Sequence, residues 1–195
     1  MAQQQQFKVA VVVGSLRKGS INRKAANALA KVAPDTLALE IVEIGDLPLY
    51  DEDVEAAGAP ESWTRFRQAI KAADAVLFVT PEYNRSVPGG LKNAIDVGSR
   101  PYGSSAWAGK PAAIMSVSPG AIGGFGANHH LRQSLVFLDM PILQQPEAYV
   151  GDGFHLFGED GAIAKEGTEK FFRTFIEAFA RWIERTTAPT EPSRV

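Results

Sequence analysis

The stretch KVAVVVGSLRKGSIN, Lys8 to Asn22, decides the fold of this chain. Its first half, Lys8 to Val13, is an apolar run rich in valine, which is typical of a strand buried on both faces of a parallel sheet. Its second half is a polar loop with Gly14, Ser15, Arg17, Gly19, Ser20 and Asn22. A loop that leads from a buried strand into a helix presents backbone N–H groups at the positive end of the helix dipole, a geometry that binds phosphate. Capping of the helix by Ser20 or Asn22 alone is the competing interpretation.

Length and composition limit the function classes. A chain of 195 residues predicts one domain, or at most a small pair. A net charge of −2 gives no electrostatic reason to expect nucleic acid or an anionic membrane as a partner. The absence of cysteine excludes disulfides and thiolate chemistry. The start MAQQQQF lacks the pattern of a secretory signal, and the apolar runs are far shorter than the ~18 residues of a membrane span. We therefore expect a soluble, cytoplasmic protein.

Apolar runs and helical repeats alternate along the chain. The predicted strands are Lys8–Val13, Leu37–Ile44, Ala75–Thr80, Pro111–Val117 and Leu143–Val150. Helical patterns separate them, residues 45–60 are predicted to be a loop, and Thr168 is the predicted N-cap of a last helix. This alternation predicts a single α/β domain over residues 1–186, with a parallel sheet covered on both faces. Residues 187–195 are predicted to be a disordered tail.

Polar loops follow the first, third and fourth predicted strands. The second of them is PEYNRSVPGG, residues 81–90, and the third is SPGAIGGFG, residues 118–126. Ligands of such sheets bind beyond the carboxyl ends of the strands, so the loops should converge on one crevice. The spacings of the Walker loop and of the dinucleotide fingerprint are both absent after Gly14. The phosphate is therefore predicted to be the monophosphate end of a cofactor, with the other loops around a flat heterocycle.

Four motifs resemble one known family. They are GSLRKGSIN at 14–22, PEYN at 81–84, PGGLKNAID at 88–96 and IGG at 122–124. Together, over about residues 8–150, they resemble the NADPH-dependent FMN reductase family, and within it the bacterial chromate and quinone reductases. The resemblance implies a flavodoxin-like fold with a five-stranded sheet in the order 2-1-3-4-5 and non-covalently bound FMN. It also implies two-electron transfer from NADPH or NADH to quinones, with chromate among the other acceptors, in a homodimer or homotetramer.

The resemblance also implies a set of site residues. The phosphate and ribityl loop matches Ser15, Arg17, Ser20, Ile21 and Asn22. The loop along the isoalloxazine ring matches Pro81, Glu82, Tyr83 and Asn84, and a further contact beside the ring matches Ser116 or Ser118. Arg100 is the candidate for holding a nicotinamide phosphate or an anionic acceptor, with a solvated or interface arginine as the alternative; Gly123 and Gly124 are further candidates for the substrate site. One departure is Val97-Gly98, where the family commonly has an aromatic residue, and it leaves the local packing open.

No side chain is assigned a catalytic role, because a flavin performs its own hydride chemistry. His129 and His130 lack a third ligand, so we predict no metal site. The apolar excess at residues 135–140 predicts a subunit interface. An FMN-dependent NAD(P)H:acceptor oxidoreductase is the expected function. The alternatives are a flavodoxin-like electron carrier that serves a partner protein, and a nucleotide- or quinone-binding module without turnover.

Overall fold

A computed structural model describes residues 6–158 and 161–188. Its centre is a five-stranded, all-parallel sheet in the order β2-β1-β3-β4-β5. The strands are β1 (Phe7–Val13), β2 (Leu37–Ile41), β3 (Ala75–Thr80), β4 (Ala112–Val117) and β5 (Ala148–Val150). This strand order confirms the predicted flavodoxin-like fold.

Burial explains which strands the sequence predicts well. Every residue of β3 and β4 is buried, and so is β1 from Val9 onward, which gives continuous apolar runs. The edge strands β2 and β5 are shorter than predicted. β2 ends at Ile41, and β5 is limited to Ala148–Val150, although Ile142 separately bridges Ala112. Pro146, which has no N–H to donate, lies between that bridge and β5.

Helices cover both faces of the sheet, as predicted. They are α1 (Ile21–Val32), α2 (Glu52–Ala57), α3 (Glu61–Ala72), α4 (Gly89–Gly98), α5 (Phe125–Phe137) and α6 (Glu166–Thr187), with a 3-10 turn at Gly153–His155. Val9, Val11 and Val13 of β1 pack with α1 and α6 in one core layer. The intervening Ala10 and Val12 pack with α3, α4 and α5 in the other. Alternate side chains of β1 therefore pack into two separate cores, one on each face of the sheet.

Two further predictions, one of a loop and one of a helix start, are wrong. Residues 45–60 contain α2, whose N-cap Asp51 accepts the Asp53 N–H at 2.8 Å. The last helix begins at Glu166 rather than after Thr168, whose own N–H already bonds the Lys165 carbonyl at 3.0 Å. The same helix continues through Thr187, the first residue of the predicted tail, and residues 189–195 lie outside the described part.

The unusual Val97-Gly98 pair has a packing explanation. A Cβ built on Gly98 would lie 2.5 Å from atoms of the Trp107 ring, which is completely buried. The Trp107 indole N–H donates to the Ile95 carbonyl at 3.0 Å, which fixes the ring against α4. Trp107 thus fills the place beside Gly98, and the glycine allows the close approach. Within residues 6–158 and 161–188, no helix combines the length and apolarity needed to cross a membrane.

Candidate cofactor site

The three polar loops meet at the carboxyl edge of the sheet. They enclose a cavity of about 350 Å³. Its walls include the predicted residues Ser15, Arg17, Ser20, Ile21, Asn22, Pro81, Glu82, Tyr83 and Ser118. The closeness of the strand ends requires a small residue, because a Cβ on Gly14 would lie 2.8 Å from the Thr80 hydroxyl oxygen. The crevice therefore forms where β1 and β3 end side by side.

The first wall is the start of α1. Ser20 is the N-cap, and its hydroxyl oxygen accepts the Arg23 N–H at 3.1 Å, so the capping interpretation is confirmed. The hydroxyl hydrogen of Ser20 is still available to a ligand. The N–H groups of Ile21 and Asn22 have no acceptor within the helix, because they belong to its first turn. The first turn holds no acidic residue. Capping and anion binding are thus compatible at this helix start.

Asn22 contributes a buried acceptor. Its side chain is 1% exposed, and its Nδ2 donates to the Val117 carbonyl at 3.2 Å. That bond fixes the orientation of the amide, since only the nitrogen can face a carbonyl. Asn22 Oδ1 is the one buried side-chain polar atom of the described residues without a hydrogen-bond partner. Because buried acceptors are rarely left unpaired, this oxygen is a candidate acceptor for a hydroxyl of a ligand that binds beside Asn22.

The second wall is the loop after β3. The Glu82 carboxylate accepts the Ala127 N–H at 3.1 Å and an Arg85 N–H at 2.9 Å, and its side chain is 10% exposed. It therefore caps the start of α5. The tight turn Tyr83–Ser86 follows, closed by reciprocal backbone bonds of 3.1 and 2.9 Å. Asn84 lies at the tip with a left-handed backbone, φ 51°, and is not part of the cavity wall.

The third wall follows β4. Ser118 lines the cavity, and its hydroxyl oxygen accepts the Gly120 N–H at 3.3 Å. Ser116 is completely buried beneath the loop and donates to the Ala148 carbonyl at 3.3 Å. Of the two candidate serines, the structure therefore places Ser118 at the cavity. Gly123 and Gly124 adopt left-handed backbones, φ 65° and 77°, and shape the turn into α5 without lining the cavity.

Four further residues line the cavity that the motifs did not indicate: Lys24, Val117, Pro119 and Phe154. Phe154 belongs to the 3-10 turn after β5 and is 67% exposed. That turn lies against α1, because a Cβ on Gly153 would meet the Ile21 side chain at 2.5 Å. Lys24 follows the N-cap Ser20 by four residues, and residues four apart are neighbours on one face of a helix. This spacing could have indicated Lys24 from the sequence.

Arg100 lies elsewhere. It lines a groove of about 680 Å³ formed by α4 and α5, which shares no lining residue with the cavity at the start of α1. Its guanidinium donates to the Ser99 hydroxyl at 3.1 Å and lies 5.9 Å from the centre of the Tyr50 ring. His130 lines the same groove and bonds Ser86 at 3.0 Å, and His129 contacts the Tyr149 hydroxyl at 2.8 Å. No group of three potential metal ligands occurs among the residues that the structure describes.

The cavity walls offer binding groups rather than a proton-transfer pair. Arg17 and Lys24 supply positive charge, the serine hydroxyls and the α1 N–H groups supply donors, and Asn22 supplies an acceptor. Glu82, the carboxylate on the wall, is engaged at α5. Such a site suits a ligand with an anionic end and hydroxyl groups.

Known proteins are similar to this chain over most of its length. The sequence model of the NADPH-dependent FMN reductase family matches residues 7–155, which include all three loops. A quinone reductase from Pseudomonas putida is 65% identical over 94% of this chain and 98% of its own length. A 2-hydroxy-1,4-benzoquinone reductase from Burkholderia sp is 47% identical over 91% of this chain and 96% of its own. The structure of FerB, a flavoenzyme NAD(P)H:(acceptor) oxidoreductase from Paracoccus denitrificans, superposes with a TM-score of 0.86 at 46% identity, covering 92% of this chain and 98% of FerB.

Proposed function

The chain belongs to the NADPH-dependent FMN reductase family, and from this membership we propose that it is an FMN-dependent NAD(P)H:acceptor oxidoreductase that reduces quinones by two electrons. The family predicted from the four motifs is confirmed. The observation that carries the proposal is the cavity at the start of α1, where unpaired donors and the unpaired Asn22 oxygen lie together.

The wall residues fit FMN group by group. A phosphate monoester is a dianion that accepts several hydrogen bonds, and Arg17, the Ser15 and Ser20 hydroxyls and the first N–H groups of α1 are suitable donors. Asn22 Oδ1 suits a ribityl hydroxyl, which can donate a hydrogen bond to a buried acceptor. The backbone of residues 81–83 and of Ser118 would border the ring. Tyr83, half exposed at the rim, has an amphipathic ring that suits this position.

The protein contributes placement and electrostatics. Bound FMN supplies the hydride-accepting and hydride-donating chemistry. The Glu82 carboxylate holds the loop after β3 to α5, and His130 of α5 holds the same loop through Ser86. The second wall is therefore held at two points. The rigid loop keeps its backbone groups aligned without a side-chain acid or base.

The proposed acceptors are quinones. The relatives from Pseudomonas putida and Burkholderia sp carry the names of quinone reductases, and both align over more than 90% of this chain. Chromate stays a prediction from the sequence. The electron-carrier alternative predicts little oxidation of NAD(P)H without a partner protein. A carrier would also be expected to display a large acidic docking face, which a net charge of −2 does not support.

We also propose that the protein acts as a homo-oligomer, with homodimer and homotetramer both open. Val136 and Phe137 of α5 are 70% and 84% exposed, and Phe137 borders the groove that contains Arg100. Apolar side chains exposed together on one helix are typical of a subunit interface. The predicted cytoplasmic location stays a prediction.

The experiment is a reconstitution followed by steady-state assays. Apoprotein should take up FMN, give a flavin absorption spectrum, and oxidise NADH or NADPH in the presence of a panel of quinones. The panel would also identify the preferred nicotinamide. Failure to take up FMN would refute the proposal, and uptake without oxidation of either nicotinamide would favour the carrier.

A further inference from the structure

Lys24 is a cavity residue to which the sequence motifs assign no role. It lies one helical turn beyond the N-cap Ser20, and its backbone N–H bonds the Ser20 carbonyl at 3.1 Å. Side chains on a helix lean toward its N-terminus, so the Lys24 stem extends over the turn that begins at Ser20. Lys24 and Arg17 line the same cavity. The fold therefore brings a second cation to the helix start.

The charges around the start of α1 are the reverse of those that stabilise a helix N-terminus. Its first turn contains no acidic residue, and Arg23 and Lys24 add cations near the positive end of the dipole, where cations are unfavourable. Arg23 is compensated, because its guanidinium forms bonds of 2.8 and 2.7 Å to both Glu43 carboxylate oxygens. No ion pair of Lys24 occurs within residues 6–158 and 161–188.

An uncompensated lysine at this position is explained if an anion binds there. The unpaired Oδ1 of Asn22, a residue that is 99% buried and lines the same cavity, is independent evidence for a ligand. We propose that Lys24 is the second cation of the phosphate site and gives the protein a preference for FMN over riboflavin. Together with Arg17 it matches the roughly two negative charges of a phosphate monoester at neutral pH. This inference rests on FMN as the cofactor.

The test compares Lys24→Met with Lys31→Met. Methionine keeps most of the apolar stem and removes the charge. Lys31 is an exposed lysine about two turns further along the same helix, so its variant controls for the overall charge of the protein. Fluorescence titration of the apoproteins gives the Kd for FMN and for riboflavin. We expect Lys24→Met to raise the FMN Kd roughly three- to tenfold and to change the riboflavin Kd by less than about twofold. Lys24→Arg should restore most of the FMN affinity, and Lys31→Met should change neither Kd.

Thermal unfolding provides a second readout that a merely structural role would not give. Because Lys24 lies at the unfavourable end of the dipole, the apoprotein of Lys24→Met should unfold at the same temperature as the parent or higher. The increase in unfolding temperature on adding FMN should be smaller. Equal losses for FMN and riboflavin, or equal effects of the Lys24 and Lys31 variants, would overturn the inference. In either case the parent would still bind FMN, whereas failure of the proposed function would appear as a parent that binds no flavin.

Discussion

Ser20→Asp separates the two roles of the α1 N-cap. The Ser20 hydroxyl oxygen caps the helix by accepting the Arg23 N–H, and its hydrogen is free for a ligand. Aspartate is as good an N-cap as serine, but it brings a negative charge and no hydrogen to donate. We therefore expect the apoprotein of this variant to keep its stability and to lose most of its affinity for FMN.

The magnitude follows from these contacts. Replacing one good N-cap by another should change the unfolding free energy by no more than about 0.5 kcal/mol. A charge-assisted hydrogen bond to phosphate is worth about 1.5–3 kcal/mol. Repulsion between unit charges about 4 Å apart adds about 1–4 kcal/mol, depending on the local dielectric. The sum is about 2.5–7 kcal/mol, so the FMN Kd should rise by roughly 60-fold or more.

The assay is a pair of measurements on the same apoprotein, urea unfolding and FMN titration. Ser20→Ala is the matched comparison: it should cost about 1 kcal/mol of stability, because the cap is lost, and raise the FMN Kd by roughly tenfold or more, because the hydrogen bond to phosphate is lost. If Ser20→Asp binds FMN within about threefold of the parent, the phosphate does not lie at the start of α1 and the reasoning is refuted.

Three other predictions concern the cavity, the core and the pH dependence. Asn22→Leu should lower apoprotein stability by about 1–3 kcal/mol and weaken FMN and riboflavin alike, measured by unfolding and titration, because it removes a buried hydrogen bond and the ligand acceptor. Gly98→Ala should destabilise the fold by about 1–3 kcal/mol in urea unfolding, because the new Cβ would lie 2.5 Å from the Trp107 ring; Gly89→Ala, whose Cβ meets nothing within 4 Å, is the control. Burial, followed by a neighbouring carboxylate, raises the pKa of Tyr149 to about 12. The pKa of a tyrosine in the unfolded chain is about 10. The contribution of the protonated Tyr149 to the free energy of unfolding is therefore complete below about pH 10 and is lost as the pH rises toward about 12. In unfolding experiments, Tyr149→Phe should lose less stability than the parent over this pH range.

The central strands could be predicted because burial on both faces requires a continuous apolar run in the sequence. The first loop could be predicted because it is the polar stretch that follows such a run. β3 was predicted with its observed bounds, Ala75–Thr80. α2 was missed, since none of its residues is buried and its sequence carries no apolar period. The edge strand β5 was predicted too long, because an apolar run does not show where backbone pairing stops.

Side-chain directions were harder to predict than loops. The sequence places Glu82 in the ring loop but cannot show that its carboxylate reaches across to the Ala127 N–H. Ser116 and Ser118 differ by two positions, and the end of β4 decides which one reaches the cavity. Apart from its spacing from Ser20, Lys24 has the pattern of an ordinary solvated helix residue, and the sequence does not show that it lines a cavity with Phe154 of the 3-10 turn.

The Glu82 carboxylate makes the two sides of the crevice electrostatically different. Two helices begin at this edge of the sheet, α1 and α5, and each would attract an anion if it were left open. The start of α5 receives a carboxylate from within the protein, whereas the start of α1 is capped only by the neutral Ser20 hydroxyl. For the proposed cofactor, this difference favours the orientation with the phosphate at the start of α1 and away from the Glu82 carboxylate.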